Sequence, residues 1–233
     1  MSKTKCAEDA SRAVLVPAEV PLEGDLAIPA GAASVVAFAH GSGSSRFSPR
    51  NQFVAERLRE HGHATLLLDL LTSGEEQVDE VTRHLRFDIG LLARRMVFTV
   101  DWLHSGDATR RLPIGLFGAS TGAAAALVAA AARPTLIRAV VSRGGRPDLA
   151  LDALSDVAVP TLLIVGSLDH EVLALNRQAA AQMRLLPSIE VVSGATHLFE
   201  EPGTLERVAD LAARWFDRYL TGDDAVGTPA SAS

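Results

Sequence analysis

Short apolar runs alternate along most of the chain with longer segments in which apolar positions recur every three or four residues. The short runs are typical of buried strands, and the longer segments are typical of helices that cover a sheet. This alternation predicts an α/β protein in which a mostly parallel, twisted sheet has helices on both faces. We predict strands at 13–17, 24–28, 33–40, 64–71, 113–117, 136–142, 160–165 and 189–192, and helices at 49–61, 87–104, 120–133, 148–154, 171–186 and 204–219.

The first two predicted strands differ from the six that follow. Pro21 and Glu23 form a turn-like segment between them, which favours an antiparallel edge and a sheet of about eight strands. The longest connection, 72–86, is interpreted as a solvated acidic loop because it carries Glu75, Glu76, Asp79 and Glu80. Since the other connections at that rim are short, we expect no large cap and a site that is open or only partly covered.

One domain is predicted, spanning 13–220. At about 150 residues per domain the 233 residues would allow one or two domains, and no linker divides them. Hydrophobic residues make up 48% of the chain and charged residues 21%, which is typical of a globular protein with a sizeable core. Residues 1–12 and 221–233 have no apolar periodicity, so we expect both to be disordered tails.

Charge and cysteine content argue against several classes of function. The chain has 22 basic and 28 acidic residues and a net charge of −6, so no nucleic-acid partner is expected. Its single cysteine, Cys6, excludes an intrachain disulfide and supports neither a cysteine zinc site nor a cysteine nucleophile. The longest apolar run, 123–132, has ten residues, about half of the roughly 20 that span a bilayer, so no membrane partner is expected. No apolar stretch follows Lys3 and Lys5, and the expected location is cytoplasmic.

The strongest chemical signal is Gly118-Ala119-Ser120-Thr121-Gly122, which matches G-x-S-x-G between a predicted strand and a predicted helix. A serine exposed on a strained strand-to-helix turn needs glycines two positions away on either side, where side chains would strike neighbouring backbone. The start of the following helix also supplies amide donors for developing negative charge. Ser120 is therefore the candidate nucleophile, and a plain glycine-rich turn is the alternative.

A serine nucleophile needs a histidine base and a carboxylate that orients the histidine. Asp169 and His197 each follow a different predicted parallel strand, and the carboxyl ends of such strands meet at the edge where open α/β sheets place their sites. We predict a catalytic triad of Ser120, Asp169 and His197. Alternatively, Asp169 caps the next helix and His197 is a surface loop residue.

An oxyanion hole needs two backbone N–H groups. The residue after the nucleophile, Thr121, supplies one, and the loop His40-Gly41-Ser42-Gly43 supplies the other. Ser42 is the candidate in that loop and Gly43 its rival, and His40 is expected to shape the loop. The alternative for this loop is a phosphate cradle before a helix, but no Walker lysine or G-x-G-x-x-G follows it.

With these motifs in place, residues 33–220 resemble the α/β-hydrolase fold, in which the triad follows the same order of Ser, Asp and His. The segments Phe38-Ala39-His40-Gly41 and Thr196-His197-Leu198-Phe199 resemble its dienelactone hydrolase-like branch. That resemblance implies hydrolysis of esters or lactones without a cofactor. It also implies a possible neighbour, since similar domains occur beside phosphoribosyltransferase domains in bacterial proteins. Dienelactone hydrolases carry a cysteine at the elbow, so Ser120 favours a general serine esterase.

Arginines cluster in the predicted rim loops. A planar guanidinium can bind a carboxylate or phosphate in a two-pronged manner, so Arg46 and Arg143 are candidate substrate-binding residues for an anionic ester. The alternative is that the rim arginines hold the loops in place by pairing with acids. The arginines in question are Arg46, Arg50, Arg143 and Arg146, and the acids are Asp69, Asp88, Glu200 and Glu201.

These observations predict a serine hydrolase that cleaves small carboxylic esters or lactones through an acyl-enzyme, with no cofactor and no metal. The expected partner is a small ester substrate. Three alternatives stay open: a perhydrolase or C–C hydrolase on the same triad, a non-catalytic hydrolase-like binding module, and an anion-binding protein that uses the loop 41–45.

Overall fold

Eight strands form one sheet in the computed structural model, which describes residues 11–222. Their order across the sheet is β1-β2-β4-β3-β5-β6-β7-β8; β1 and β2 lie antiparallel at one edge and β3 to β8 are parallel to one another. The predicted α/β architecture with an antiparallel edge is therefore confirmed. The strands are β1 (Arg12–Pro17), β2 (Pro21–Ala27), β3 (Ser34–Ala39), β4 (His63–Leu68), β5 (Ile114–Ala119), β6 (Ile137–Arg143), β7 (Thr161–Gly166) and β8 (Ser188–Val192).

Six α-helices accompany the sheet within 11–222. They are α1 (Pro49–Glu60), α2 (Ser73–Thr82), α3 (Ile89–Ser105), α4 (Thr121–Ala132), α5 (His170–Ala180) and α6 (Thr204–Phe216), with 3-10 segments at Leu85–Phe87 and Pro147–Asp156 and a π-helical turn at Asp217–Thr221. The predicted tails fall almost wholly on 1–10 and 223–233, which lie outside the described residues. None of the helices within 11–222 combines the length and the hydropathy that a bilayer-spanning segment requires.

The core lies in two layers, one on each face of the sheet. Helices α3 and α4 bury Met96, Val100 and Ala125 on one face, and α1 and α6 bury Leu58 and Phe216 on the other. Strands β3, β4, β5 and β7 are buried on both faces, which explains their near-continuous apolar runs. Each fully buried Leu or Phe side chain contributes roughly 1.5–3 kcal/mol of burial free energy.

The segment expected to be a solvated acidic loop instead contains α2. Thr72 accepts a hydrogen bond from the Glu75 amide (3.3 Å), and the Glu75 carboxylate accepts one from the Thr72 amide (2.8 Å), which is a capping box. Arg95 binds both carboxylate oxygens of Glu75 at 2.6 and 2.7 Å. These contacts, with that to Arg95 the strongest, lower the pKa of Glu75 to about 2.

Asp79, which we also expected to be solvated, is buried at the other end of α2. Its carboxylate accepts hydrogen bonds from the amides of Leu85 (2.7 Å) and Arg86 (3.1 Å), so it fixes the turn after the helix. The prediction of a solvated loop is therefore wrong, because two of its four acids make specific structural contacts. Within 11–222 the sheet carries no inserted cap, and α2 is the added element at the rim.

Candidate active site

Ser120 lies on the strained turn between β5 and α4 that its sequence predicts. Its φ and ψ are 50° and −122°, a conformation that costs a non-glycine residue on the order of 1–3 kcal/mol. A Cβ on Gly118 would lie 2.4 Å from Ala123 Cα, and one on Gly122 would lie 2.2 Å from the Ala39 oxygen. Both glycines are therefore required by close backbone approach, and the turn holds the Ser120 hydroxyl at the carboxyl edge of the sheet.

Neighbouring loops fix this turn through backbone contacts. The Ser120 amide donates to the Arg143 carbonyl at the end of β6 (3.2 Å), and the Ser120 carbonyl accepts from the Arg146 amide (3.1 Å). On the other side, a Cβ on Gly41 would lie 2.9 Å from Ser120 Cβ, so the loop after β3 is pressed against the serine. The serine is thus held by strands on both sides of β5.

His197 and Asp169 form a hydrogen-bonded pair at the same edge. His197 Nδ1 donates to Asp169 Oδ2 at 2.6 Å, which leaves Nε2 as the ring's acceptor. Asp169 precedes α5, but its side chain makes no capping hydrogen bond there, so the alternative role as a helix cap does not hold. Both residues are partly buried, and the pair is shielded from solvent more on the side of Asp169.

The loops that carry this pair are tied to each other. The Leu168 amide donates to the Ala195 carbonyl at 3.0 Å, and a Cβ on Gly166 would lie 2.3 Å from the same oxygen. Glu201 accepts hydrogen bonds from the Thr196 hydroxyl (2.6 Å) and amide (3.1 Å), which braces the residue before His197. Glu201 is a positioning residue that sequence reasoning considered only as a partner for arginine.

The histidine lies beside the loop after β6, which itself holds the serine turn. A Cβ on Gly144, the residue after Arg143, would lie 3.5 Å from His197 Nδ1 and 3.1 Å from the His197 carbonyl oxygen. Within 11–222 no hydrogen bond joins the Ser120 hydroxyl to His197. Catalytic hydrogen bonds are often long before substrate binds. The lack of a hydrogen bond between Ser120 and His197 is therefore compatible with a nucleophile and its base.

The two expected oxyanion residues meet in space. Ser42 Oγ and Thr121 Oγ1 are 3.2 Å apart, so the loop after β3 touches the first turn of α4. His40 supports this loop: its Nδ1 donates to the Gly41 carbonyl (3.0 Å) and its Nε2 accepts from the Leu70 amide (3.0 Å). Both ring nitrogens are used by a neutral imidazole, and burial lowers the pKa of His40.

A cavity of about 480 Å³ opens beside these residues. Ser42 and Thr121 line one end of it, and Phe47 and Arg50 at the start of α1 line a second side. The far wall comes from α2 and the segment after it, with Glu76, Asp79, Glu80 and Arg86. Sequence reasoning missed this wall, although Thr72 and Glu75 carry the Thr-x-x-Glu signal of a helix start.

Arg46 does not serve the site as a free cation. Its guanidinium pairs with Asp69 and with Glu23 (2.7 Å), and it lies 3.5 Å from Asp25; its amide also donates to Asp69 (2.6 Å). The structural alternative therefore holds for this residue, and we correct the assignment of Arg46 to substrate binding. Arg146 is likewise paired, with Asp148 at 2.7 and 2.9 Å.

Arg143 is different. It is only 8% exposed, its Nη1 is buried without a hydrogen-bond partner, and no carboxylate among residues 11–222 pairs with it. Burial, followed by the nearby charge of Arg50, lowers the pKa of Arg143 to about 10. The side chain is still a cation at neutral pH.

No group of three or more His, Cys, Asp or Glu side chains in the described part of the chain could hold a metal ion. The chemistry that the geometry offers is that of the serine, the histidine–aspartate pair and the amides around them.

Comparisons with known proteins support the fold. The crystal structure of a dienelactone hydrolase from Anabaena variabilis is 57% identical to this chain, with a TM-score of 0.89 over 91% of this chain and 98% of that one. An esterase from Pyrococcus furiosus is 18% identical with a TM-score of 0.71 over 91% and 93% of the two chains, which shows a shared fold. The predicted α/β-hydrolase fold is therefore confirmed.

A Mycobacterium tuberculosis protein named putative phosphoribosyl transferase is 54% identical over 213 residues, which is 91% of this chain and 47% of that protein. This chain spans about half the length of the curated relatives that it matches. The profile of the dienelactone hydrolase family matches residues 22–220, and this family and its structural neighbours support a hydrolase. Since that match covers most of the chain, this protein belongs to the dienelactone hydrolase family.

Proposed function

We propose that the protein is a serine hydrolase that cleaves small carboxylic esters or lactones through an acyl-enzyme. The observation that carries this proposal is the strained turn at Ser120, held at the same sheet edge as the His197–Asp169 pair with its 2.6 Å hydrogen bond. The strained turn exposes the serine, and a histidine base oriented by a carboxylate is what activates a serine hydroxyl.

In the proposed reaction, Ser120 Oγ attacks the ester carbonyl carbon while His197 Nε2 takes the hydroxyl proton. The tetrahedral intermediate collapses, and the imidazolium returns that proton to the departing alcohol oxygen, which leaves an acyl group on Ser120. His197 then takes a proton from water, the resulting hydroxide attacks the acyl carbon, and the carboxylic acid departs as Ser120 regains its proton. Asp169 holds Nδ1 protonated throughout, which keeps Nε2 available as the base.

The oxyanion of each tetrahedral intermediate is stabilised by backbone amides. We assign the Thr121 amide, at the start of α4, and the Ser42 amide of the loop after β3 to this role. The contact between the Ser42 and Thr121 side chains supports the assignment because it keeps the two backbone segments together. The cavity of about 480 Å³ beside them suits a small substrate.

The name of the Mycobacterium tuberculosis relative is not carried over as an activity. That name belongs to a protein of which this chain covers 47%, so more than half of that protein lies outside the match. Whether a hydrolase unit of this kind works together with a phosphoribosyl transferase unit is a separate proposal, which concerns the full-length relatives.

Hydrolysis of short p-nitrophenyl esters by the wild type and Ser120→Ala, with fluorophosphonate labelling of both, tests the proposal. We expect labelling of the wild type only and a loss of about ten thousand-fold or more in kcat for the variant. Equal turnover by both proteins would exclude Ser120 as the nucleophile. A folded wild type that neither turns over nor labels would favour the binding module, and turnover confined to reactions with hydrogen peroxide would favour a perhydrolase.

A further inference from the structure

Arg143, whose Nη1 is buried without a hydrogen-bond partner, is joined through its backbone to the proposed nucleophile. Arg143 ends β6, and its carbonyl accepts the hydrogen bond from the Ser120 amide. By strand alternation its side chain lies on the same sheet face as Ala139 and Val141, the face covered by α1 and α6. The side chain is thus enclosed on that face and is not displayed at the surface.

A buried cation without a counter-ion is among the most costly groups that a protein can hold. The neighbouring arginines Arg46 and Arg146 each have carboxylate partners, so the loops of this rim do contain acids that could have served. None of the acids within 11–222 pairs with Arg143. The charge of Arg143 is therefore available to an anionic ligand.

A second arginine, Arg50, adds positive charge near Arg143. Arg50 lines the cavity together with Ser42 and Thr121, and its charge acts on Arg143. Its Nε is buried without an acceptor, while its Nη1 reaches Glu200 (3.1 Å), a carboxylate that is 63% exposed. Arg50 also stands in the first turn of the 12-residue helix α1, whose N-cap Ser48 makes no side-chain cap, so the amides there keep free donors.

We propose that Arg143 and Arg50 form a subsite for a phosphoryl group on the substrate, next to the ester that Ser120 attacks. Two guanidinium groups with unfilled donors and an uncapped helix start offer more hydrogen bonds than a carboxylate's two oxygens can accept. The three terminal oxygens and double charge of a phosphate monoester use them fully. This inference rests on the proposed function for its reaction, whereas the binding of the anion does not depend on Ser120.

The binding half is tested on Ser120→Ala with inorganic phosphate as the probe. Phosphate should raise the melting temperature of this variant by about 2 °C or more above sodium chloride of equal ionic strength. Adding Arg50→Gln should abolish that increase, and adding Arg57→Gln should leave it, because Arg57 lies on the same helix but pairs with Glu60 and Asp210. No phosphate-specific increase, or an equal increase with Arg50→Gln, would overturn the subsite whether or not the protein is an esterase.

The specificity half uses three p-nitrophenyl esters of similar acyl length at pH 8: the 3-phosphonopropanoyl, succinyl and butanoyl esters. The wild type should prefer the phosphonate, then the carboxylate, then the neutral ester in kcat/KM. Arg143→Lys keeps the charge but loses the planar fork, so it should raise KM for the phosphonate about tenfold and change the butanoyl ester less than about twofold. If Arg143→Lys does not fold, Arg50→Gln replaces it and should likewise raise KM for the phosphonate ester. A preference for the succinyl ester, or an equal loss on all three esters, would reject a phosphoryl subsite.

Discussion

Gly41 lies so close to Ser120 that a Cβ on the glycine would be 2.9 Å from Ser120 Cβ and 3.1 Å from the Ala119 carbonyl oxygen. Gly41→Ala must therefore push apart the loop after β3 and the serine turn. Because both segments carry proposed oxyanion amides, we expect kcat for p-nitrophenyl acetate to fall about 100-fold or more. Steady-state kinetics, with the melting temperature as a check on folding, measure the effect.

Gly74→Ala is the matched control, since a Cβ there meets nothing within 4 Å. Its kcat should stay within about twofold of the wild type. Full activity in Gly41→Ala would mean that the loop is not part of the oxyanion site.

Asp169→Asn removes the charge that orients His197 while keeping the shape of the side chain. The 2.6 Å contact to Nδ1 would then favour the wrong tautomer, so we expect kcat to fall by about ten thousand-fold at pH 7.5 with little change in KM. Asp148→Asn, which alters a pair at the rim with Arg146, should retain most of the activity. A tenfold loss or less in Asp169→Asn would mean that another carboxylate orients the histidine.

Glu75→Gln should loosen α2 and leave the buried guanidinium of Arg95 without its anion. We expect a loss of about 2 kcal/mol in the free energy of unfolding at pH 7, measured in urea. The pKa of Glu75 is lowered to about 2, so the carboxylate stabilises the fold above its ordinary pKa of about 4.5, and this contribution is lost as the pH falls towards 2.

The difference in stability between the wild type and Glu75→Gln should therefore shrink as the pH falls from about 4.5. Glu56→Gln, at an exposed position on α1, should be indistinguishable from the wild type. A constant difference between pH 7 and pH 3 would contradict the role of the charge.

His63 joins the amino edge of the sheet to Asp217, the first residue of the π-helical turn Asp217–Thr221. It is fully buried, with Nδ1 2.7 Å from Ser34 Oγ and Nε2 3.0 Å from Asp217 Oδ1. Burial lowers the pKa of His63 in the folded state, so the unfolded chain binds its proton first as the pH falls below about 6.5. Urea midpoints should therefore fall between pH 7.5 and pH 5.5.

In His63→Gln the midpoint should be lower at pH 7.5 but should depend less on pH. Part of the dependence should remain, because burial lowers the pKa of His40 as well. His84→Gln, at an exposed position, should keep the wild-type slope. An unchanged slope in His63→Gln would show that this histidine does not titrate on unfolding.

The strands and the serine turn were predictable because their signals are local. An apolar run of six residues or a G-x-S-x-G segment is complete within a short window of sequence. Helix α2 was missed because it has too few apolar positions to show a helical period. Its start is marked only by Thr72 and Glu75. What holds that helix in place, Arg95, is 20 residues away in the chain.

The partners of the rim arginines could not be predicted from local sequence. Arg46 and Arg143 look alike in sequence, but Arg46 meets acids of β2 and of the loop after β4. Arg143 is instead buried at the end of β6 and meets none of the acids within 11–222. That difference arises from the strand order, in which β2 and β4 are neighbours. It could not be derived before the order of the sheet was known.

Helix α4 limits where a new specificity could be engineered into this protein. The alanines Ala124, Ala125, Ala129 and Ala130 of this helix are fully buried. The protein therefore packs closely around nearly all of the helix and leaves no room for larger side chains at these positions. A larger residue there would lift the helix and displace Ser120 at its start. Random libraries aimed at new substrates are therefore best confined to α2 and the first turn of α1, which shape the cavity without carrying the serine.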